Sequence, residues 1–336
     1  MADIESAYNN SHRAFLQAFL ARSVMTFEEA QPILAAILSA RDENRPISAA
    51  DITEADFQTY ISVLNASLSP LDLEIRSTRP QTTLPSSSSD QDTHHEPAPL
   101  VWALVNTTSD ALTQLATTHT PDEIAYVKRL LDAMFETYNT RRAEIMALTG
   151  MQALQLHKRA PARNRDSGVG GGDGDGETQG SAGASLTMAQ AQKVLDDLVE
   201  EGWFNKSARG YLSLSPRALM ELRGWLIETY NEPANPDESG DEGVERVKMC
   251  EACREIVTVG QRCSNRDCRC RLHDACVRQF FRALPDRKCP VCKAEWTEQN
   301  FVGERAAKPQ NRNRTSTATA ASSSGRMTMV DADDSE

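Results

Sequence analysis

All eight cysteines of this 336-residue chain lie in one window, from Cys250 to Cys292. Each end of the window carries a CxxC pair, and a histidine followed two residues later by a cysteine lies between them. Zn²⁺ takes thiolate and imidazole ligands at four tetrahedral corners, and a CxxC turn presents two thiolates to one ion. The window offers nine candidate ligands: Cys250, Cys253, Cys263, Cys268, Cys270, His273, Cys276, Cys289 and Cys292. We therefore predict two bound Zn²⁺ ions.

A disulfide framework is the alternative explanation of this cysteine cluster. It requires an oxidising compartment, whereas the first residues, MADIESAYNN, are polar and acidic and lack the apolar stretch of a secretory signal. Zinc in the cytosol or nucleus is favoured. Four protein ligands leave no position for a reactive water, so both ions are predicted to be structural. They replace a hydrophobic core that a segment of about 55 residues can hardly build.

Nine candidates compete for eight ligand positions, so one cysteine is spare. The second pair could be Cys263 with Cys268, Cys268 with Cys270, or Cys263 with Cys270. We favour the first pair, because Gly260 and Gln261 predict a turn that delivers Cys263 to a metal. Cys270 lies between two arginines and is expected to be an exposed strand residue. The arginines would lower the pKa of its thiol, but no general base is apparent beside it.

The chain as a whole is acidic, with a net charge of −12, and this excludes a strong overall field for nucleic acid. No apolar run approaches the length of a membrane span. Three segments are predicted to be disordered from their composition: an insertion at 77–98, a linker at 159–185 and an acidic tail at 303–336. A shorter hinge is predicted at 232–246.

Two folded blocks remain before the cysteine window, at 1–158 and 186–231. In the first, Phe15 and Phe19 recur at helical spacing, and Thr26 with Glu29 predicts a capped second helix. A third helix is predicted from Asp56, followed by strands at 71–75 and 100–105. Thr120 and the proline after it open a further helix.

The second block predicts a helix at 187–200, a hairpin at 202–214 and a final helix that begins at Ser215 and Pro216. Helices followed by a hairpin, twice, predict two tandem winged-helix domains in a mainly α protein with small β-sheets. Winged helices bind DNA or protein. Lys206 and Arg209 at the hairpin tip could touch a phosphate backbone, but a solvated turn is favoured, so DNA contact is expected to be weak or indirect.

Three stretches together resemble one known family. They are HRAFLQAFLARSVMTFEEAQPIL, LVWALVNTTSD with TPDEIAYVKRLLDAMF, and GQRC, CRCRLHDAC and CPVC in the cysteine window. They are similar to fungal members of the non-structural maintenance-of-chromosomes element one family. That family is the RING-bearing subunit of the structural-maintenance-of-chromosomes five–six complex.

The resemblance implies a variant cross-brace RING at 247–302, with seven Cys and one His, in which ligands alternate between two sites. Site one would be Cys250, Cys253, His273 and Cys276. Site two would be Cys263, Cys268, Cys289 and Cys292. The gap between Cys263 and Cys268 is longer than in some relatives, so Cys270 stays an alternative ligand.

The resemblance also implies a nuclear ubiquitin ligase in DNA repair and recombination, with activity that depends on a partner. The expected partners are a MAGE-type winged-helix subunit, a kleisin subunit, the chromosome-maintenance ATPase complex and a ubiquitin-conjugating enzyme. A RING performs no covalent chemistry and only positions the charged conjugating enzyme. The candidate contacts with that enzyme are Ile256, Val257, Leu284, Pro290, Lys293 and Trp296, for which packing within a small module is the alternative.

Two other functions compete with the ligase. A PHD-type histone reader has the same ligand count, but it usually carries a tryptophan two residues before the seventh ligand, where this chain has Arg287. A non-catalytic scaffold, in which the zinc module only docks a partner, is compatible with the sequence.

Overall fold

The computed structural model describes residues 8–41, 46–81, 99–107, 118–158, 185–233, 243–282 and 286–307. Most of the segments predicted to be disordered, the centre of the predicted hinge, and Leu284 lie outside these residues. Among the described residues, no helix is both long enough and apolar enough to span a bilayer.

Within the residues that the structure describes, the first unit contains three helices and a three-stranded antiparallel sheet. Its elements are α1 (Asn10–Arg22), β1 (Val24–Thr26), α2 (Phe27–Arg41), a 3₁₀ turn (Ala49–Asp51), α3 (Glu54–Leu68), a second 3₁₀ turn (Ser69–Leu71), β2 (Leu73–Thr78) and β3 (Val101–Asn106). The strand order is β1-β3-β2. Three helices with a short first strand and a following hairpin form a winged helix, as the sequence predicts.

Local signals explain why these helices begin where they do. The Thr26 N–H donates to the Glu29 carboxylate at 2.8 Å, and the Glu29 N–H donates back to the Thr26 hydroxyl at 3.3 Å. This reciprocal pair is the predicted capping box. Phe15, Phe19 and Phe57 are fully buried in edge-to-face contact and form the centre of the core.

The second unit repeats this pattern. Its elements are α4 (Pro121–Asp132), which continues as a π-helical turn (Ala133–Thr137), β4 (Leu148–Thr149), α5 (Gly150–Gln155), α6 (Met188–Glu200), β5 (Phe204–Lys206) and β6 (Tyr211–Leu214). The strand order is β4-β6-β5. The predicted helix at 187–200 is confirmed, and its expected apolar residues are all buried: Ala191, Val194, Leu195 and Leu198.

The expected domain boundary at 158 falls inside this second unit. Leu148 pairs with Leu212 across the β4–β6 ladder, and Tyr126 and Leu130 of α4 pack in one core with Leu195 of α6. The packing therefore divides the chain between residues 107 and 118. The segment 159–185, predicted to link two domains, lies in the sequence between the second and third helices of one winged helix, α5 and α6.

Two short helices follow, α7 (Pro216–Glu221) and α8 (Arg223–Tyr230), so the single helix predicted from Ser215 is interrupted at Leu222. Helix α7 packs on β3 of the first unit, where Met220 contacts Ala103 and Val105. A two-stranded ribbon, β7 (Asn231–Glu232) with β8 (Val244–Glu245), then leads into the cysteine-rich domain.

In its described part, 243–282 and 286–307, the cysteine-rich domain has a small antiparallel sheet beside one α-helix. Its elements are β9 (Gly260–Arg262), β10 (Arg271–Leu272), α9 (Asp274–Arg282), β11 (Phe301–Val302) and a 3₁₀ helix (Glu304–Ala307), with strand order β10-β9-β11. Gly260 begins β9 and is not in the predicted turn. A Cβ there would lie 2.3 Å from the Leu272 carbonyl oxygen, so the backbones can approach only at a glycine. Residues 303–307, which we expected to begin the disordered tail, are packed against this sheet.

Candidate metal centre

Four of the predicted ligands come together in the cysteine-rich domain. The donor atoms of Cys250, Cys253, His273 and Cys276 all lie within 4.8 Å of one another. The Cys253 Sγ is 3.3 Å and the Cys276 Sγ 3.9 Å from the His273 Nδ1. Ligands that each lie 2.0–2.3 Å from one zinc ion must approach one another to such distances.

The His273 ring is oriented by its second nitrogen. Nε2 lies 3.1 Å from the Ile256 carbonyl oxygen, and a carbonyl can only accept a hydrogen bond. Nε2 therefore carries the proton, and the lone pair of Nδ1 faces the cysteines. A histidine that binds a metal through one nitrogen commonly donates the other N–H to a backbone carbonyl, which fixes the ring and its tautomer.

The second set of four also comes together. The donor atoms of Cys263, Cys268, Cys289 and Cys292 lie within 4.8 Å of one another, with Sγ–Sγ distances of 3.4 Å for Cys263 to Cys292 and 3.6 Å for Cys268 to Cys289. The two sets alternate along the chain. This alternation is the cross-brace arrangement that the resemblance implies.

Cys270 belongs to neither set of four. It is fully buried, so its expected place on an exposed strand is wrong. Burial raises the pKa of its thiol, which also contradicts the expected lowering by neighbouring arginines. Its backbone N–H donates to the Cys268 Sγ at 3.5 Å, so Cys270 contacts a predicted ligand through its backbone and not through its thiol.

Two turns of the same design hold the CxxC pairs. The N–H of Cys250 donates to the Glu255 carbonyl at 2.8 Å, and the N–H of Arg254 donates to the Cys250 carbonyl at 2.9 Å. Cys289 and Lys293 repeat this pattern at the other end of the window, at 2.8 and 3.0 Å. Arg254 and Lys293 both adopt left-handed backbone, with φ of 61° and 62°. Each turn therefore directs two thiols toward the same cluster of donor atoms.

The electrostatics of the thiols fit a divalent cation. Hydrogen bonds from Cys253 and Cys276 lower the pKa of Cys250, and the same contact with Cys250 raises the pKa of Cys276. In the other set, burial raises the pKa of Cys263 to about 12. In each set the pKa of one thiol is lowered while the pKa of another is raised, so the packed thiols do not all ionise together. A bound Zn²⁺ supplies the positive charge that allows all of them to be thiolates.

The residues expected to contact a conjugating enzyme fall into a buried group and an accessible group. Ile256 and Val257 are almost completely buried, which contradicts an exposed apolar lip at this place. Trp296 is also buried, packs on Phe281 and donates its indole N–H to the Gln261 side chain at 3.0 Å.

Of the other expected contacts, Lys293 is exposed and Pro290 is half-buried, while Leu284 lies outside the described residues. The Lys293 ammonium donates to the Pro290 carbonyl at 2.9 Å. Val291, between the two cysteines of the second turn, is 43% exposed and was not among our predicted residues. The accessible apolar surface of this turn therefore centres on Val291.

A buried carboxylate joins the second winged helix to the cysteine-rich domain. Glu144 contacts the Arg271 guanidinium through both oxygens, one of them 2.5 Å from Nε, and accepts from Lys248 Nζ at 2.7 Å. Arg271 also donates to the carbonyls of Cys268 and Cys270, each at 2.7 Å. Burial opposes ionisation of Glu144, but Arg271 and Lys248 outweigh it and hold its pKa at about 2. No local sequence pattern marks this glutamate.

A glutamine joins the first winged helix to the same domain. Gln81 follows β2, and its side-chain N–H₂ donates to the Ile256 carbonyl at 2.6 Å. Its amide oxygen accepts from the N–H groups of Thr258 and Val259 at 2.8 and 2.9 Å. The cysteine-rich domain is therefore held by both winged helices.

The wing of the second unit, which is the β5–β6 hairpin, also contacts this domain. Arg209 lies over the Tyr211 ring and pairs with Glu304 at 3.0 Å. An arginine engaged in this way contributes less positive charge to a DNA backbone than the sequence suggested. Lys206 remains exposed.

The sequence matches two family models. Residues 12–222 match the model described as "Nse1 non-SMC component of SMC5-6 complex", and residues 250–292 match a RING-like domain. Two curated relatives described as "Non-structural maintenance of chromosomes element 1 homolog" align over most of both chains. The Mus musculus protein is 21% identical over 290 residues, 86% of this chain and 85% of its own. The Homo sapiens protein is 20% identical over 288 residues, 86% and 84% of the two chains.

A solved structure confirms the fold. A chain of the structure entitled "Nse1-Nse3-Nse4 complex" superposes with a TM-score of 0.58 at 19% identity, over 86% of this chain and 97% of that one. Two winged helices followed by a RING-like domain, with the family match over residues 12–222, lead to one conclusion: the chain belongs to the Nse1 family, the non-SMC component of the SMC5-6 complex.

Proposed function

We propose that this protein is a RING-type ubiquitin ligase subunit of a chromosome-maintenance complex. The observation that carries the proposal is the pair of alternating four-donor clusters inside a RING-like domain. Such a domain positions a charged ubiquitin-conjugating enzyme so that its thioester reacts, and it contributes no nucleophile.

Two structural Zn²⁺ ions belong to this proposal. Site one takes Cys250, Cys253, His273 and Cys276, and site two takes Cys263, Cys268, Cys289 and Cys292. The approach of the donors and the Nδ1 of His273, which faces the cysteines, support these ligands. With four protein ligands each, the ions hold the fold and have no position for a reactive water.

The conjugating enzyme is proposed to dock on the outer face of the second CxxC turn. Val291 provides exposed apolar surface there, Pro290 borders it and Lys293 provides a cation. Ile256, Val257 and Trp296 support this face from within. Their burial means that substituting them tests folding before it tests docking.

We propose a MAGE-type winged-helix subunit and a kleisin subunit as partners. The support is the fold that this chain shares with a chain of the Nse1-Nse3-Nse4 complex. Through them the protein would join the ATPase complex, act in DNA repair and recombination in the nucleus, and contact DNA weakly or indirectly.

The test is ubiquitin-chain formation by the purified full chain, with and without the MAGE-type partner, across a panel of conjugating enzymes. Val291→Ala should reduce chain formation at unchanged zinc content, and Cys289→Ser should abolish it with loss of zinc. Leu20→Ala is a matched control, since Leu20 is also an exposed aliphatic residue but lies on α1. Chains that form equally with Val291→Ala would contradict the docking face.

A scaffold role is the competing proposal. It is favoured by the contacts of the cysteine-rich domain with both winged helices. It predicts that no pairing yields chains from protein that holds two zinc ions, while Cys289→Ser still loses the MAGE-type partner.

A further inference from the structure

The Ile256 carbonyl is shared by two side chains from different parts of the molecule. It accepts from Nε2 of His273 at 3.1 Å and from the side-chain amide of Gln81 at 2.6 Å. A carbonyl oxygen has two lone pairs, so it can accept both bonds at once. The carbonyl that orients a proposed zinc ligand is therefore itself held by a residue of the first winged helix, 175 positions away in the sequence.

The other half of the Gln81 amide fixes the same loop. Its oxygen accepts from the N–H of Thr258, the hydroxyl of Thr258 and the N–H of Val259, at 2.8, 3.1 and 2.9 Å. Ile256 and Thr258 are buried and Val259 is half-buried, so these backbone groups have little access to water. One side chain thus satisfies a carbonyl and two N–H groups of the loop 256–259. Because Gln81 follows β2, the orientation of this loop depends on the position of the end of β2.

We propose that Gln81 is a positioning residue for the first zinc site, through which the first winged helix controls the orientation of His273. This inference rests on the proposed zinc ligands. Outer contacts of metal-binding histidines commonly alter metal affinity by about 10- to 100-fold when they are removed. A partner protein that moved the end of β2 would therefore change the orientation of His273 and the metal affinity of site one without contacting that site.

The experiment uses the full chain loaded with ¹¹³Cd²⁺ in place of zinc. One proposed site has three sulfurs and one nitrogen, and the other has four sulfurs, so the two ions differ in NMR shift. The decay of each signal after addition of a chelator gives a release rate for each site. Gln81→Ala should accelerate release from the nitrogen-containing site by about 10-fold or more and leave the all-sulfur site within about twofold of the wild type.

Two further variants define the mechanism. Gln81→Glu retains an acceptor for Thr258 and Val259 but places a second oxygen against the Ile256 carbonyl, so it should match Gln81→Ala at site one. Gln58→Ala removes an exposed glutamine of α3 in the same winged helix and should leave both rates unchanged. The midpoint of thermal unfolding of each variant is measured together with its metal-release rates.

Equal acceleration at both sites would identify general loosening and overturn the role of Gln81. Unchanged rates in Gln81→Ala, or wild-type rates in Gln81→Glu, would overturn it as well. Wild-type protein that binds fewer than two ions would overturn the zinc assignment together with Gln81. Two ions with no selective effect would overturn Gln81 alone.

Discussion

Cys270 shows how far a single residue can be understood from its surroundings. Its sulfur lies outside both donor sets, and burial keeps its thiol protonated. We expect Cys270→Ala to retain two zinc ions and to lower the free energy of unfolding by only about 1 kcal/mol. Zinc content by a metallochromic assay, with chemical denaturation, measures both. Cys289→Ser is the contrast and should hold fewer ions, and loss of zinc from Cys270→Ala would reassign the ligands.

The sequence could predict the CxxC pairs because their spacing is a local property, whereas the grouping of the pairs into two sets of four was implied by the family resemblance. CxxC turns bring two thiols together within four residues, and the structure repeats one turn design at Cys250 and Cys289. The burial of Cys270 and Ile256 could not be predicted in this way. It depends on β10 and on a loop that is covered by residues far away in the sequence.

The two CxxC turns carry a second prediction, at the scale of the element. Lys293 has φ of 62°, a left-handed backbone that strains every residue with a Cβ and a β-branched residue most. Lys293→Val should therefore lower the free energy of unfolding by about 1 kcal/mol relative to lysine. Lys293→Gly relieves the strain but adds entropy to the unfolded chain, so it should leave the free energy of unfolding nearly unchanged.

Thermal unfolding at fixed zinc concentration distinguishes the two variants of Lys293. The glycine variant also removes the ammonium while it keeps the turn, so ubiquitin transfer by that variant tests the contact role without a folding defect. Equal stability of the valine and glycine variants would show that the left-handed backbone is not required.

Glu144 connects the segment after α4 to β10, and its pKa of about 2 makes that connection depend on pH. A carboxylate whose folded pKa lies below its unfolded value of 4.5 stabilises the fold above pH 4.5. The contribution, about 3 kcal/mol, should fall progressively from about pH 5 to pH 2.

Comparison with Glu144→Gln isolates this effect from acid release of zinc. The variant leaves Arg271 and Lys248 partly unpaired and should be about 3–5 kcal/mol less stable at pH 7. The difference between the two proteins should shrink as the pH falls. Glu228→Gln, at an exposed position of α8, is the matched control. A difference that stays constant down to pH 3 would contradict the assignment.

At the scale of the molecule, the winged-helix pattern was predictable and the division between the units was not. Hairpins and capped helices are determined by residues that are close together in the sequence, such as Thr26 and Glu29. The glycine- and serine-rich composition at 159–185 is typical of a domain linker, yet it interrupts one winged helix. Contacts such as Arg271 with Glu144, 127 positions apart, leave no local pattern.

This division of the chain yields a prediction about fragments. The first helix of the second winged helix is α4, together with the π-helical turn that continues it. Four of its side chains are fully buried in the core of that unit: Tyr126, Leu130, Leu131 and Phe135. Burial of side chains of this size contributes about 2–3 kcal/mol each, so their removal costs about 10 kcal/mol, as much as the whole stability of a typical domain. A fragment of residues 159–307 should therefore not fold, although it begins at the composition-based linker.

A fragment of residues 118–307 should fold and bind two zinc ions, because it retains α4, β4 and Glu144. It loses Gln81 and the contact of Met220 with β3, so its midpoint of thermal unfolding should lie below that of the full chain. Circular dichroism and zinc content compare the two fragments. Folding of residues 159–307 with two ions bound would mean that the buried face of α4 does not hold the second winged helix together, and the boundary would return to residue 158.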